Sequence, residues 1–333
     1  MEYITLAHGA GGKVSHDLMT ELILPAFDNE ILHELHDGAK LKVAGSIAFT
    51  TDSYVVSPRF FPGGNIGKLA ICGTVNDLAM TGAKPKFLSA AVIIEEGFPL
   101  AELKKIVATM GEMAKEAGVM IVTGDTKVVE RGKCDGIFIN TAGIGEILPG
   151  VNIAPKNVRP GMKIIVSGTI GDHGATILAE RHGLEVPESL MSDCAPLSEM
   201  VEKMLAVAPD IAMLRDATRG GVATVLNEIA ESSESGIIIE EEKLPINEPV
   251  QGVADILGFD VLNLANEGKL IAVVPAEKAE SIVAAMHETK YGKNAQIIGE
   301  TINESKGMVG LKTAIGSIRI VDMPMGSLVP RIC

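Results

Sequence analysis

The stretch Ile66-Gly-Lys-Leu-Ala-Ile-Cys-Gly-Thr-Val-Asn-Asp-Leu-Ala-Met80 decides the fold. Its apolar residues Ile66, Leu69, Ala70, Val75, Leu78 and Ala79 recur at helical spacing, and Gly82 supplies the stop. Upstream, residues 43–51 are apolar and β-branched, as a strand requires, and run into Asp52. Downstream, residues 87–94 read as a buried strand. An amphipathic helix follows at Leu100–Ala117, with Leu100, Leu103, Ile106, Val107, Met110 and Ala114 on one face and Gly118 at its end. Strands at 119–123 and 137–144 complete an alternation of strand and helix, the mark of an α/β domain.

Residues 148–161 hold three prolines and two glycines and read as a linker. Beyond it the alternation resumes, with strands at 163–167, 236–240, 270–274, 295–298 and 315–321. Helices are expected at 174–181, 221–231 and 276–287. The expectation is therefore an α/β (α+β) chain of two domains, residues 1–150 and 151–322, followed by a flexible tail, residues 323–333.

A chain of 333 residues exceeds one ordinary core, which agrees with two domains. No apolar run approaches the roughly 18 residues that span a membrane. The N-terminus lacks a basic region followed by an apolar stretch, so the chain is expected in the cytoplasm. A net charge of −14 with 3% aromatics and no tryptophan argues against nucleic acid as a partner. The four cysteines, Cys72, Cys134, Cys194 and Cys333, form no CxxC pair, so neither a structural zinc site nor a redox dithiol is signalled. Cys72 lies in an apolar helical pattern and reads as a buried small hydrophobe.

Polar residues at element ends carry the candidate chemistry. In His8-Gly-Ala-Gly-Gly-Lys13, the glycines Gly9, Gly11 and Gly12 either let backbone amides approach an anion or simply make an exposed loop. It is not a phosphate loop of the Walker type, because no Ser or Thr follows the lysine. Asp77 sits in an apolar helix, where a carboxylate must face solvent or be satisfied by a cation or donors. In Arg215-Asp-Ala-Thr-Arg-Gly-Gly221, Asp216 or Thr218 caps the next helix on one reading. On the other, Asp52, Asp77 and Asp216 converge on Mg²⁺, with Arg219 and the amides of Gly220 and Gly221 on nucleotide phosphates. Lys127 in Thr123-Gly-Asp-Thr-Lys127 and Glu267 in Leu264-Ala-Asn-Glu-Gly268 are either site residues or an ordinary surface lysine and turn residue. The tail, Met323-Pro-Met-Gly-Ser-Leu-Val-Pro-Arg-Ile-Cys333, carries two prolines and a glycine that forbid ordinary helix. Its terminal thiol is placed to be carried between sites.

Taken together, Gly9-Ala-Gly-Gly12, Thr50-Thr-Asp-Ser-Tyr-Val-Val-Ser57, Phe60-Phe-Pro-Gly-Gly64, Cys72–Met80, Thr123–Val129, Asn266-Glu-Gly268 and Pro330-Arg-Ile-Cys333 resemble the hydrogenase maturation family HypE. That family lies in the superfamily of aminoimidazole ribonucleotide synthetase and selenophosphate synthetase. The resemblance runs through essentially the whole chain, and the Pro-Arg-Ile-Cys end is its most specific part. Ala217 and Asn65 depart from it, standing where Pro and Asp are expected. The resemblance implies a PurM-like two-domain fold, an ATP and Mg²⁺ requirement, and a homodimer. It also implies an activity, the ATP-dependent dehydration of an S-carbamoyl group on Cys333 to a thiocyanate that becomes a cyanide ligand of [NiFe]-hydrogenase iron. The implied partners are a HypF-type carbamoyltransferase and a HypC–HypD acceptor. The implied site is Cys333, Glu267 and Lys127 for chemistry, Asp52, Asp77 and Asp216 for the metal. Gly9, Gly11, Gly12, Asn76, Thr123, Gly124, Asp125, Arg219, Gly220 and Gly221 are implied for the nucleotide. The alternatives are another synthetase of that superfamily, or an ATP-binding scaffold without catalysis. Residues 1–20 lack the cysteine expected of a selenophosphate synthetase.

Overall fold

The computed structural model describes residues 2–10, 12–33, 38–324 and 329–333. Three short helices open the chain, α1 (Lys13–Leu18), α2 (Leu24–Phe27) and α3 (Glu30–His33). Strand β1 (Ile47–Tyr54), a small hairpin of β2 (Phe60–Phe61) and β3 (Gly64–Asn65), and helix α4 (Ile66–Met80) follow. Then come β4 (Ala83–Glu95), α5 (Leu100–Ala117), β5 (Met120–Val129) and β6 (Ile137–Ile147). The sheet order is β1-β6-β4-β5, antiparallel except for the β4–β5 pair. Helix α4 begins where Asn65 Oδ1 accepts from the amides of Gly67 and Lys68, so the departure at Asn65 preserves the cap.

The second domain comprises β7 (Lys163–Val166), α6 (Asp172–His182), α7 (Ser198–Val207), β8 (Met213–Asp216), α8 (Gly221–Ser233), β9 (Gly236–Glu240), α9 (Glu248–Leu257), β10 (Leu270–Val274), α10 (Ala279–His287), β11 (Gln296–Ile302), β12 (Val309–Lys312) and β13 (Ile318–Ile320). Its sheet order is β13-β12-β9-β11-β7-β10-β8. One face packs on α6, α8 and α9, the other on α7 and α10. Every residue of β10 is buried, as a central strand covered on both faces demands.

The two domains share apolar cores. Ala79 and Met80 at the end of α4 join the α7–α10 cluster of the second domain. Conversely, Ile177, Cys194, Ala265 and Ile332 join the core of the first. The expected linker is packed as well, with Leu148, Val151 and Ile153 against that same second-domain cluster.

Several expectations shift. Strand β1 starts at Ile47 rather than at residue 43 and continues through Asp52 to Tyr54, because its residues alternate between a covered and an open face. Strand β5 runs on to Val129 and takes Thr123–Lys127 into the sheet rather than a following loop. The reading of 276–287 as one helix divides into a 3-10 turn, Ala276–Lys278, and α10. Helices α7 and α9 and strands β8 and β12 were not expected. Pro249 in α9 occupies the first helical turn, where its missing N–H costs no hydrogen bond.

Candidate active site

A cleft at the domain junction is lined by Asp52, Asp77, Asp216, Arg219, Glu267 and Cys333. On β1, Ala48, Thr50, Asp52 and Tyr54 turn toward α4, while Ile47, Phe49, Thr51 and Ser53 face outward. Thr50 Oγ1 donates to Asp77 Oδ2 at 2.8 Å, which answers how an acid sits in an apolar helix. Burial, reinforced by the charge of Asp77 and a hydrogen bond to it, pushes the Asp52 carboxyl up to about 6. Burial, followed by the charge of Asp77, pushes Asp216 up to about 7. Among the described residues no group of three acidic, His or Cys side chains is gathered tightly enough to hold a metal ion unaided. This donor set still fits Mg²⁺, which takes a few carboxylates and completes its shell with phosphate oxygens and water.

Asp216 ends β8, and the turn after it is fixed by backbone bonds. Ala217 N–H donates to Lys269 O at 3.0 Å, a bond the proline expected there could not make. Neither Asp216 nor Thr218 caps α8 with a side chain; the N–H of Gly221 is taken by Thr218 O at 2.9 Å. Gly220 has φ +73°, and a Cβ there would lie 2.1 Å from Thr224 Oγ1, so the turn requires glycine.

Glu267 is 3% exposed, and its Oε1 has no hydrogen-bond partner. Burial, then the neighbouring Cys194 and Asp193, raises its pKa well above the carboxylate range. Its backbone is held from below. Asp193 accepts from the amides of Glu267 at 3.0 Å and Gly268 at 3.3 Å, and pairs with Lys269 Nζ at 3.0 Å. Asn76 is buried one step behind the cleft: its Nδ2 donates to Ala195 O at 3.0 Å and Glu267 O at 3.4 Å, and its Oδ1 accepts from Leu197 N at 2.8 Å.

The C-terminus enters this cleft from the same chain. Val55 N–H donates to Cys333 O at 3.0 Å and Ser57 N–H to Arg331 O at 3.2 Å, so the end of the tail pairs beyond β1. Ile332 is buried in the first-domain core. Burial, then the charge of Glu267, pushes the Cys333 thiol up to about 12.

The remaining expected residues lie elsewhere on this chain. Lys127 pairs with Asp125 at 2.7 Å on β5, at the opposite edge of the sheet from β1. Gly9 packs on the same strand, where a Cβ would stand 2.5 Å from Val128 N. Thr123, Gly124 and Asp125 line an apolar cavity beneath α2 and α3. Gly12 precedes α1, and Gly11 lies outside the described residues. The structure adds residues that the sequence did not single out. Buried Tyr54 shares the inward face of β1 with Asp52 and packs its hydroxyl over Gly73 of α4, and Asp193 anchors the Glu267 turn. No local signal marks Asp193, because the groups it bonds, at Glu267, Gly268 and Lys269, are distant in sequence.

Two tandem domains with an acid-lined junction define the class. Residues 35–147 and 159–312 match the AIR synthase related protein N-terminal and C-terminal domains. Solved structures at 15% identity, such as thiamine-monophosphate kinase from Stenotrophomonas maltophilia (TM-score 0.64, covering 84% of this chain and 86% of that one), share this PurM-like fold alone. Much nearer relatives are the carbamoyl dehydratases HypE of Rhodobacter capsulatus, 50% identical over 100% of this chain and 98% of that protein, and of Escherichia coli K12, 48% identical over 100% of both. A crystal structure of hydrogenase maturation protein HypE in complex with ATP superposes with a TM-score of 0.96 at 48% identity, covering 99% of each chain. A HypE chain from a HypE–HypF complex gives 0.82 at 52% identity, covering 92% of this chain and 99% of that one. The chain belongs to the carbamoyl dehydratase HypE family. No helix among the described residues is long and apolar enough to cross a membrane.

Proposed function

We propose that this protein dehydrates an S-carbamoyl group on its own Cys333 to a thiocyanate, using ATP, in the cytoplasm. The observation that carries the reading is the seating of Cys333 in one cleft with the unpartnered Glu267 Oε1 and the three aspartates. A HypF-type enzyme carbamoylates the thiol, matching the complex that a close relative forms. ATP then supplies a phosphoryl group to the carbamoyl oxygen, turning a poor leaving group into phosphate. The nitrogen gives up two protons as the C–O bond breaks and the C≡N bond forms, so the net change is the loss of water. Glu267 accepts one of those protons: burial makes its carboxylate a strong base once ionised, and its free oxygen suits an amide N–H donor. Asp52, Asp77 and Asp216 would hold Mg²⁺, which neutralises phosphate charge during transfer. Arg219 and the Gly220–Gly221 turn, at the edge of the same cleft, would hold the phosphates. The cyano group passes to a HypC–HypD acceptor.

Lys127 and Thr123–Asp125 belong to this site if a second copy supplies them. The first-domain sheet carries helices on one face, and the other bears a cross-strand row of Phe49, Ile144, Phe87 and Met120. Phe49 is 67% exposed, which suits a face that pairs with another sheet. A two-fold axis along the strands sets β5 of one copy over β1 of the other. Intact-mass measurement after incubation with HypF, carbamoyl phosphate and ATP tests the function. The parent should carry a cyano group on Cys333, Cys333→Ala should carry no adduct, and Glu267→Gln should stall with the carbamoyl group in place. Normal cyano product in Glu267→Gln would overturn the base assignment.

A further inference from the structure

Helix α6 carries two side chains that the chemistry above leaves without a role. Arg181 Nε donates to Ser57 O at 2.6 Å, and its two terminal nitrogens donate to Pro330 O at 2.7 Å and Arg331 O at 2.6 Å. Two helical turns earlier, fully buried His173 places Nε2 2.8 Å from Ile332 O. Its Nδ1 lies 2.8 Å from Ser192 Oγ, and the edge of its ring packs against Phe61. The carbonyl at Ile332 can only accept, so Nε2 carries the proton and Nδ1 accepts from the serine. Burial holds this ring neutral, which suits that arrangement.

With Val55 N–H on Cys333 O, each backbone carbonyl from Pro330 to Cys333 is bonded. The tail end is also bent. Arg331 has φ +53°, a conformation an arginine rarely adopts free, and its side chain is tied to Val55 O at 2.8 Å and Asp135 at 2.5 Å. These contacts to α6 and the 55–57 segment read main chain and leave the Cys333 sulfur untouched. They therefore accept the thiol, the thiocarbamate and the thiocyanate equally.

We propose that Arg181 and His173 form a main-chain clamp that holds the tail in the cleft whatever group Cys333 carries, and so set the fraction of time the carrier spends there. They are positioning residues, since they act through the tail backbone. The inference rests on Cys333 being the carrier, but its test does not require the dehydration to occur. A seated thiol is enclosed by the cleft and packed against the first-domain core, whereas a released one is open to a reagent. Alkylation of Cys333 by N-ethylmaleimide at pH 8 thus reports release, followed on the C-terminal peptide by mass spectrometry.

Arg181 is partly exposed, so Arg181→Ala should fold. We expect its Cys333 to alkylate at least about tenfold faster than the parent's, the effect of losing one charge-assisted hydrogen bond's worth of docking. Arg181→Lys should fall between them. His173→Phe should be fast, and His173→Gln, which keeps a donor, slower than His173→Phe. Cys72, fully buried in α4, should stay unreactive, which separates release of the tail from loosening of the fold. Single-turnover dehydration should slow in Arg181→Ala while Mg-ATP affinity stays at the parental value. Equal Cys333 alkylation in parent and Arg181→Ala overturns the clamp. Slow alkylation in a parent that makes no thiocyanate leaves the clamp standing and overturns the proposed function instead.

Discussion

Asp216 shows how a candidate site residue works against the empty fold. Its carboxyl is pushed up to about 7 by burial first and then by Asp77. A raised folded-state pKa means the native protein holds the proton more tightly than the unfolded chain. The associated stability is full below the unfolded value of 3.8 and is lost as pH climbs toward 7. Asp216→Asn should therefore raise Tm at pH 8, by something on the order of 1 kcal/mol in stability, and leave it little changed at pH 4. If Asp216 is a Mg²⁺ ligand as proposed, the same change should weaken Mg-ATP binding by calorimetry, because a charged oxygen is gone. A lower Tm at pH 8 would show that Asp216 is structural. Asp77 was legible in the sequence because an acid in an apolar helix has a cost that demands an explanation. Asp52 and Asp216 stood out by their places at element ends, Glu267 by a polar turn that interrupts an apolar stretch, and Cys333 by its place on the tail. His173, Arg181 and Asp193 were not legible: they bond backbone groups tens to hundreds of residues away, and no local pattern records that.

At the scale of elements, α4 lines the proposed site, supplying Asp77, the buried tie at Asn76 and, at Gly73, room for Tyr54. Helical periodicity and the stop at Gly82 made α4 readable, as they did α5. Strand β1 was misplaced by several residues because a half-covered strand shows alternation rather than an apolar run, and Asp52 occupies one of its inward positions. In an exposed helix, Gly→Ala stabilises by about 1 kcal/mol. At Gly73 the sign should reverse, because a Cβ would stand 2.2 Å from the Tyr54 hydroxyl. Tyr54 and Asp52 lie side by side on the inward face of β1, so the clash reaches the carboxylates. We expect Gly73→Ala to lose about 1–3 kcal/mol by chemical denaturation and to bind Mg-ATP more weakly. Adding Tyr54→Phe removes the clashing oxygen and should recover much of the stability but not the affinity. Failure of the double variant to recover stability would place the clash elsewhere.

At the scale of the whole molecule, the two-domain division was legible from chain length, the Pro- and Gly-rich stretch at 148–161 and the repeated alternation. How the domains meet was not, because Ala79, Ile177 and Ile332 cross into the other domain's core through contacts far apart in sequence. The separation of Lys127 from Glu267 also belongs to this scale. If each site takes Asp52, Asp77, Asp216, Glu267 and Cys333 from one copy and Lys127 from the other, the sites can be complemented. Lys127→Ala and Glu267→Gln homodimers should each fail to convert a carbamoylated tail to the cyano form. A mixed dimer then has one site carrying both defects and one carrying none. Equal mixing with random exchange should restore about a quarter of the parental sites, half the dimers being mixed and each holding one intact site. Phe49→Arg, on the open sheet face, should shift the protein to monomer by light scattering and abolish that recovery. If the mixture stays as inactive as its parents while subunit exchange is demonstrated by mass, Lys127 does not act across the dimer.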